Sequence, residues 1–321
     1  MKPWLAIVCL LALAVPCDAD EPPPEAVLAE LPFLAYPEPH RIVVDLAPEG
    51  AARPLRLMID TGANLTTATP LAARELGIQV RRHKQDPYRR KTRLGRDIQI
   101  YVDVSSSDTG SKTGWEYAVL GGEFLAEYVL ELDFSARRVR FLDPDRYEAP
   151  EQAVGPTEWV SPLSIVMNRP AVELAVNAVP TPFMIGTGVP FPLVLSGKVA
   201  EAALVPPSGA DRFRTLSTVG PMVSEIRMID ELRVGPFAFA GFATVVNPYG
   251  WYNVGLPGES ALGYELLAMF RVRIDYPRRR LWLELRPDAR STFAGQEYEG
   301  LEDLLDKLRP RDDTPESEPA G

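Results

Sequence analysis

Asp60, Thr61 and Gly62 stand at the end of the apolar run Leu57-Met58-Ile59. An acid at the end of an apolar strand, followed by a hydroxyl and a glycine, is a carboxylate placed to take or give a proton. The frame returns as Phe183-Met184-Ile185-Gly186-Thr187-Gly188-Val189. Met-Ile-x-Thr-Gly is common to both copies, and the one polar position that differs is Asp60 against Gly186. The two loops offer a single carboxylate between them.

Other chemistries find little support. Both cysteines, Cys9 and Cys17, lie in the N-terminal segment. Its removal after Ala19 leaves no thiol for a disulfide, a nucleophile or a metal site. The two histidines, His40 and His83, sit singly in polar or proline-rich surroundings and read as surface residues. No cofactor and no metal are expected. Asp108-Thr109-Gly110 repeats the triplet without an apolar strand before it, so it reads as a turn. Gly258-Glu259-Ser260-Ala261-Leu262-Gly263 misses the serine-hydrolase elbow by one residue. Asn64-Leu65-Thr66 fits a glycosylation sequon by coincidence, since a glycan there would cover Asp60. The net charge of -10 argues against nucleic acid as a partner.

The chain of 321 residues is long enough for two domains with separate cores. Residues 1–19 read as a signal peptide: Lys2, a short apolar run, then Ala19. The run is too short for a stable membrane span, and the protein is expected to be secreted or periplasmic. Lobe 1 is expected over 20–148, a linker over 149–162 and lobe 2 over 163–287. The acidic tail, 288–321, is read as partly disordered, with Leu301, Leu304, Leu305 and Leu308 spaced for one short helix. Arg81-Arg82-His83-Lys84 and Arg89-Arg90-Lys91 form a basic cluster, either a solvated loop or a contact for an acidic partner.

Both halves run in one order. Ile98, Ile100, Val102 and Val104 alternate as a half-buried strand. Strands are predicted at 41–46, 55–59, 129–134 and 139–142, and again at 171–176, 183–185, 225–229, 231–234 and 242–246. Short helices are predicted at 70–78, 123–128 and 198–204. Val119-Leu120-Gly121-Gly122-Glu123 matches Ala261-Leu262-Gly263-Tyr264-Glu265. From loop to closing glycine the spacing is 121 − 60 = 61 in one half and 263 − 186 = 77 in the other. This is an internal duplication in an all-β chain.

These residues resemble the pepsin/retropepsin superfamily of aspartic peptidases, particularly its bacterial retropepsin-like members. The resemblance implies two homologous β lobes with a cleft between them and a peptide or protein as substrate or ligand. It makes Asp60 catalytic and gives Thr61, Gly62, Thr187 and Gly188 the supporting loop. The hydroxyls of Thr61 and Thr187 would tie the loops together, with Leu120-Gly121-Gly122 and Ala261-Leu262-Gly263 packed behind. In that family two close carboxylates share a proton, one activating water and the other protonating the oxyanion. Gly186 is the degenerate catalytic position, so a dyad within one chain is impossible. Asp60 alone is expected near the reference value of about 3.9.

Three functions follow. One is hydrolysis of peptide bonds through Asp60 with a second carboxylate from another chain or residue, Asp108, Glu225 and Asp230 being the first to check. Another is an inactive homologue that binds peptides or proteins in its cleft. The third is an envelope assembly component using the tail or the basic loop. Pro190-Phe191-Pro192 either stiffens a turn or walls an apolar subsite. If lobe 2 merely lost its acid, Gly186→Asp should create acid-pH peptidase activity. Because lobe 2 covers the surface a second lobe 1 would need, a monomer is expected. Light scattering on the purified protein checks this, and a tight dimer would return the paired-Asp60 mechanism.

Overall fold

The computed structural model describes residues 21–34, 40–46, 54–75, 79, 87–92, 94, 97–102, 118–206, 213–217, 220–247 and 260–286. Residues 1–19, read as a signal peptide, residues 81–86 of the basic cluster with His83, Asp108-Thr109-Gly110, Gly258-Glu259 and the tail lie outside them. The first half supplies β1 (Val27–Pro32), β2 (Val43–Leu46), β3 (Leu55–Ile59), β4 (Thr67–Ala68), β5 (Tyr88–Lys91), β6 (Asp97–Val102), β7 (Ala118–Leu120), β8 (Val129–Asp133) and β9 (Arg138–Leu142). Helices α1 (Pro70–Glu75) and α2 (Gly122–Leu125) interrupt them. The second half supplies β10 (Glu158–Pro162), β11 (Ser164–Val166), β12 (Arg169–Val176), β13 (Val179–Ile185), β14 (Leu193–Ser196) and β15 (Phe213–Ser217). It continues with β16 (Gly220–Val234), β17 (Phe237–Asn247), β18 (Ser260–Leu262), β19 (Phe270–Asp275) and β20 (Arg280–Leu285), with α3 (Gly197–Ala202) and α4 (Tyr264–Leu267) between.

The fold is all-β with two lobes. One sheet has the order β2-β3-β7-β4-β6-β5 and a second the order β11-β12-β13-β18-β14-β17-β16-β15. A third, β1-β9-β8-β19-β20-β10, takes three strands from each half. The alternation read on β6 puts Ile98 and Ile100 in the core. In both halves the loop strand pairs in parallel with the strand that ends in Leu-Gly: β3 with β7, and β13 with β18.

Two differences from the sequence reading have local causes. The strands predicted at 225–229 and 231–234 are one strand, β16. Asp230 does not break it because its N–H donates to Asn177 Oδ1 at 2.9 Å. The stretch read as a linker contains β10, paired with β20. Both β10 and β1 are outermost in their sheet and end in a proline, Pro162 and Pro32. Edge strands tolerate proline, which hides them from pattern reading.

The shared sheet is locked at its centre by a buried charge cluster. Glu131 on β8 is opposite Arg273 on β19, and both are fully buried. Glu131 accepts from Arg273 Nε at 2.6 Å and from Arg140 Nη1 at 3.0 Å, and Arg271 Nη2 lies 3.2 Å away. The Arg273 guanidinium also stacks 4.2 Å from the Trp282 ring centroid. Removing Glu131 would strand buried cations at the seam between the halves. Glu131→Ala is expected to cost about 3–5 kcal/mol of unfolding free energy. Breaking the exposed Arg56–Asp45 pair with Arg56→Ala should cost about 0–1 kcal/mol. Urea denaturation of both variants tests the contrast, and equal losses would remove the seam cluster from the stability argument.

Candidate functional site

Strand β3 delivers Asp60 and strand β13 delivers Gly186 in the same way. Asp60 N–H donates to Leu120 O at 3.1 Å, and Gly186 N–H to Leu262 O at 2.9 Å. The closing glycines permit this packing. A Cβ on Gly121 would collide with the Leu65 carbonyl, and one on Gly263 with the Phe191 carbonyl. The loops then meet through their threonines. Thr61 N–H donates to Thr187 Oγ1 and Thr187 N–H to Thr61 Oγ1, both at 3.1 Å. Each hydroxyl donates onward to the opposite strand, Thr61 to Ile185 O at 2.6 Å and Thr187 to Ile59 O at 2.7 Å. Both threonines are fully buried.

Asp60 is half-buried at this junction and its carboxylate reaches across it. Oδ1 accepts from Gly62 N–H at 2.8 Å and from Gly188 N–H, in the other lobe, at 3.2 Å. A Cβ on Gly188 would overlap the carboxylate. Arg41 Nη1 donates to the Gly188 carbonyl and lies 3.6 Å from Met58 Sδ. Burial pushes the Asp60 carboxyl above the ordinary carboxylate range; the Gly62 and Gly188 N–H groups, Arg41 and Arg169 oppose that rise without cancelling it. The expectation of an ordinary value near 3.9 is thereby corrected: desolvation raises the carboxyl without help from a second acid. Tyr276 is also raised, by burial first and Asp60 second, and its hydroxyl is buried without a hydrogen-bond partner.

The sequence reading missed the arginines. Arg41-Ile42-Val43-Val44-Asp45-Leu46 is matched by Arg169-Pro170-Ala171-Val172-Glu173-Leu174. Val43 is in register with Met58 and Ala171 with Met184, each two residues before the loop's variable position. Arg41 and Arg169 therefore occupy equivalent places in the two lobes. Each follows a residue with positive φ, His40 at 68° and Asn168 at 62°. The repeated Arg-x-x-Val-acid-Leu was the available signal. Nε and Nη1 of Arg169 are buried without a hydrogen-bond partner, and burial lowers its pKa while Asp60 opposes the shift.

Of the three carboxylates first considered, the two among the described residues are placed elsewhere. Glu225 Oε2 accepts from Arg227 at 2.9 Å, Asp230 is exposed on β16, and Asp108 lies outside the described residues. Gly186 has little free space beside it: a Cβ there would stand 3.0 Å from Val189 Cγ2 and 3.4 Å from Met184 Cε. Val189 packs with Phe191, Val194, Val245 and Ala261, so Phe191 of the Pro-Phe-Pro stretch is directed into a small core. Asn64 Oδ1 accepts from Asn168 Nδ2 at 3.0 Å, an interlobe contact at the sequon asparagine. His40 lies 3.4 Å from Glu265 and edge-on to Tyr264. Among the described residues no group of three His, Cys, Asp or Glu could hold a metal. With Asp60 ionised, Arg41, Arg169 and Asp60 sum to 2 − 1 = +1. Such a centre favours an anion.

No protein-family model matches this chain, and no curated protein matches it. Among solved structures it is similar to a retropepsin-like aspartic protease from Rickettsia conorii, at 20% identity and a TM-score of 0.32, over 40% of this chain and 90% of that one. It is also similar to Basic 7S globulin from soybean, at 13% identity and a TM-score of 0.42, over 79% of this chain and 94% of that one.

The raised Asp60 carboxyl has a sign that can be measured. A carboxyl whose pKa is higher folded than unfolded stabilises the fold below the unfolded value of about 3.9. That contribution is lost as pH rises through the folded value. Asp60→Asn is therefore expected to melt above wild type at neutral pH, with the gap closing in acid. Glu123, which burial also raises, is common to both proteins and cancels. Thermal melts of the two proteins from pH 3 to 8 decide it; a gap that is constant with pH would contradict the desolvation argument.

Proposed function

We propose that this chain is an aspartic-peptidase-like protein that binds peptides or proteins between its lobes without hydrolysing them, outside the cytoplasm. The observation that carries the reading is the company kept by Asp60: two guanidinium groups act on it, one from each lobe. Aspartic-peptidase chemistry needs one carboxylate as base and one protonated carboxyl as acid. A guanidinium stays charged at any working pH, so it can hold an oxyanion but does not supply the proton. The paired threonines and closing glycines keep the loop frame, while the charge at its centre is changed in sign.

One observation favours hydrolysis instead. The Asp60 loop is complete and its carboxyl is raised, which makes it a better base than an ordinary aspartate. Digestion of an unfolded protein between acidic and neutral pH separates the readings. Wild type is expected to cut no faster than Asp60→Asn. Wild-type cleavage lost in Asp60→Asn would establish hydrolysis.

The surroundings of Gly186 also reverse the expectation for Gly186→Asp. Val189 must yield by a few tenths of an ångström, and the new carboxylate would enter a centre already holding Arg41 and Arg169. Cations beside it favour ionisation over the shared proton that a dyad requires. A folded Gly186→Asp protein is expected to show no gain in cleavage.

A further inference from the structure

The missing second carboxylate leaves a specific imbalance. Arg169 is half-buried, with Nε and Nη1 cut off from water and without hydrogen-bond partners. Its counterpart Arg41 is anchored on the opposite loop through the Gly188 carbonyl. Arg169 has no equivalent anchor, and buried donors left unpaired are unfavourable. The Tyr276 hydroxyl is a further buried, unpartnered group. Gly188 N–H is already engaged by Asp60, and Gly186 brings no carboxylate of its own.

We propose that the ligand supplies the absent acid: a carboxylate carried by a bound peptide docks opposite Asp60 against the guanidinium of Arg169, with Arg41 fixed beside it. This rests on the peptide-binding reading and names the chemical group recognised. A guanidinium donates short charge-assisted hydrogen bonds to a carboxylate, and one such contact is a strong source of selectivity. Among the described residues, the charges of Arg41 and Arg169 act on Asp60, and Asp60 acts on the buried Tyr276 hydroxyl. Asp60 is the one that repels an incoming carboxylate at neutral pH, so its charge opposes binding and its protonation assists it. The carboxylate can come from a peptide C-terminus or from an internal Asp or Glu.

The test uses the purified protein and a pool of synthetic peptides of mixed sequence, without acidic side chains unless stated. Each peptide is made as the free acid, as the C-terminal amide, and as the amide with one internal Glu. Retained peptides are identified by mass, which also reveals any cleavage. Acids or Glu-bearing amides should be retained about tenfold over neutral amides, the selectivity of one charged hydrogen-bonded contact. The favoured form tells a C-terminus from a side chain. Arg169→Gln should abolish the preference, and Asp60→Asn should strengthen it at neutral pH. Neutral amides retained as well as acids would overturn the carboxylate site while leaving peptide binding intact. No retention of any peptide, or cleavage of the pool, would overturn the peptide-binding reading itself. Displacement of the peptides by inorganic phosphate at concentrations where acetate has no effect would assign the site to a different anion. If Arg169→Gln does not fold, the comparison of acids and amides on wild type still decides.

Discussion

Two threonines 126 residues apart hold this molecule's centre together. Each gives its N–H to the other's hydroxyl and its own hydroxyl proton to the other lobe's strand, so four hydrogen bonds close between the lobes. The arrangement is mutual and fully buried, which makes it intolerant of partial loss. Deleting either hydroxyl would orphan the other lobe's threonine N–H and a carbonyl on that same lobe's strand, at about 1–3 kcal/mol for each buried unsatisfied group. Because the exchange is reciprocal, it also fixes the relative placement of the loops. Asp60 can therefore reach Gly188 N–H, and Arg41 the Gly188 carbonyl.

The shared sheet joins the two halves as well. Glu131 and Arg273 face each other across the junction of the halves, so the centre of the sheet is held by charge as well as by apolar packing. Such a cluster is expensive to desolvate and stays favourable only while all its members are present. The same logic operates at the site with the opposite outcome. There the charges of two guanidinium groups act on one carboxylate, and polar atoms of Arg169 and Tyr276 are buried without hydrogen-bond partners. At the seam Glu21 and Glu30 also pair with Arg140 and Arg271, so three acids meet three guanidinium groups, whereas at the site Asp60 meets two.

Much of this was legible in the chain itself. The duplicated Met-Ile-x-Thr-Gly frame, the paired Leu-Gly segments and the alternation on β6 announce an all-β fold of two related halves, because each depends on short-range pattern or repetition. The loss of the second acid is visible as one letter at Gly186. The edge strands β1 and β10 were not legible. Their pairing is supplied by distant strands, and their prolines and polar residues carry no periodic signal of their own.

Local sequence determined which groups exist at the centre: one aspartate, two threonines, and glycines where backbones crowd. Tertiary structure decided their state. Desolvation of Asp60 is a property of what surrounds it, so no reading of Asp-Thr-Gly could place its carboxyl above the ordinary range. Arg41 and Arg169 lie 60 − 41 = 19 and 186 − 169 = 17 residues ahead of the two loop positions, where the first reads as the polar start of a strand and the second stands just before one. Only the pairing of β2 with β3 and of β12 with β13 carries both guanidinium groups to the same carboxylate. Charge acts through space, and the distances through space are set by the fold.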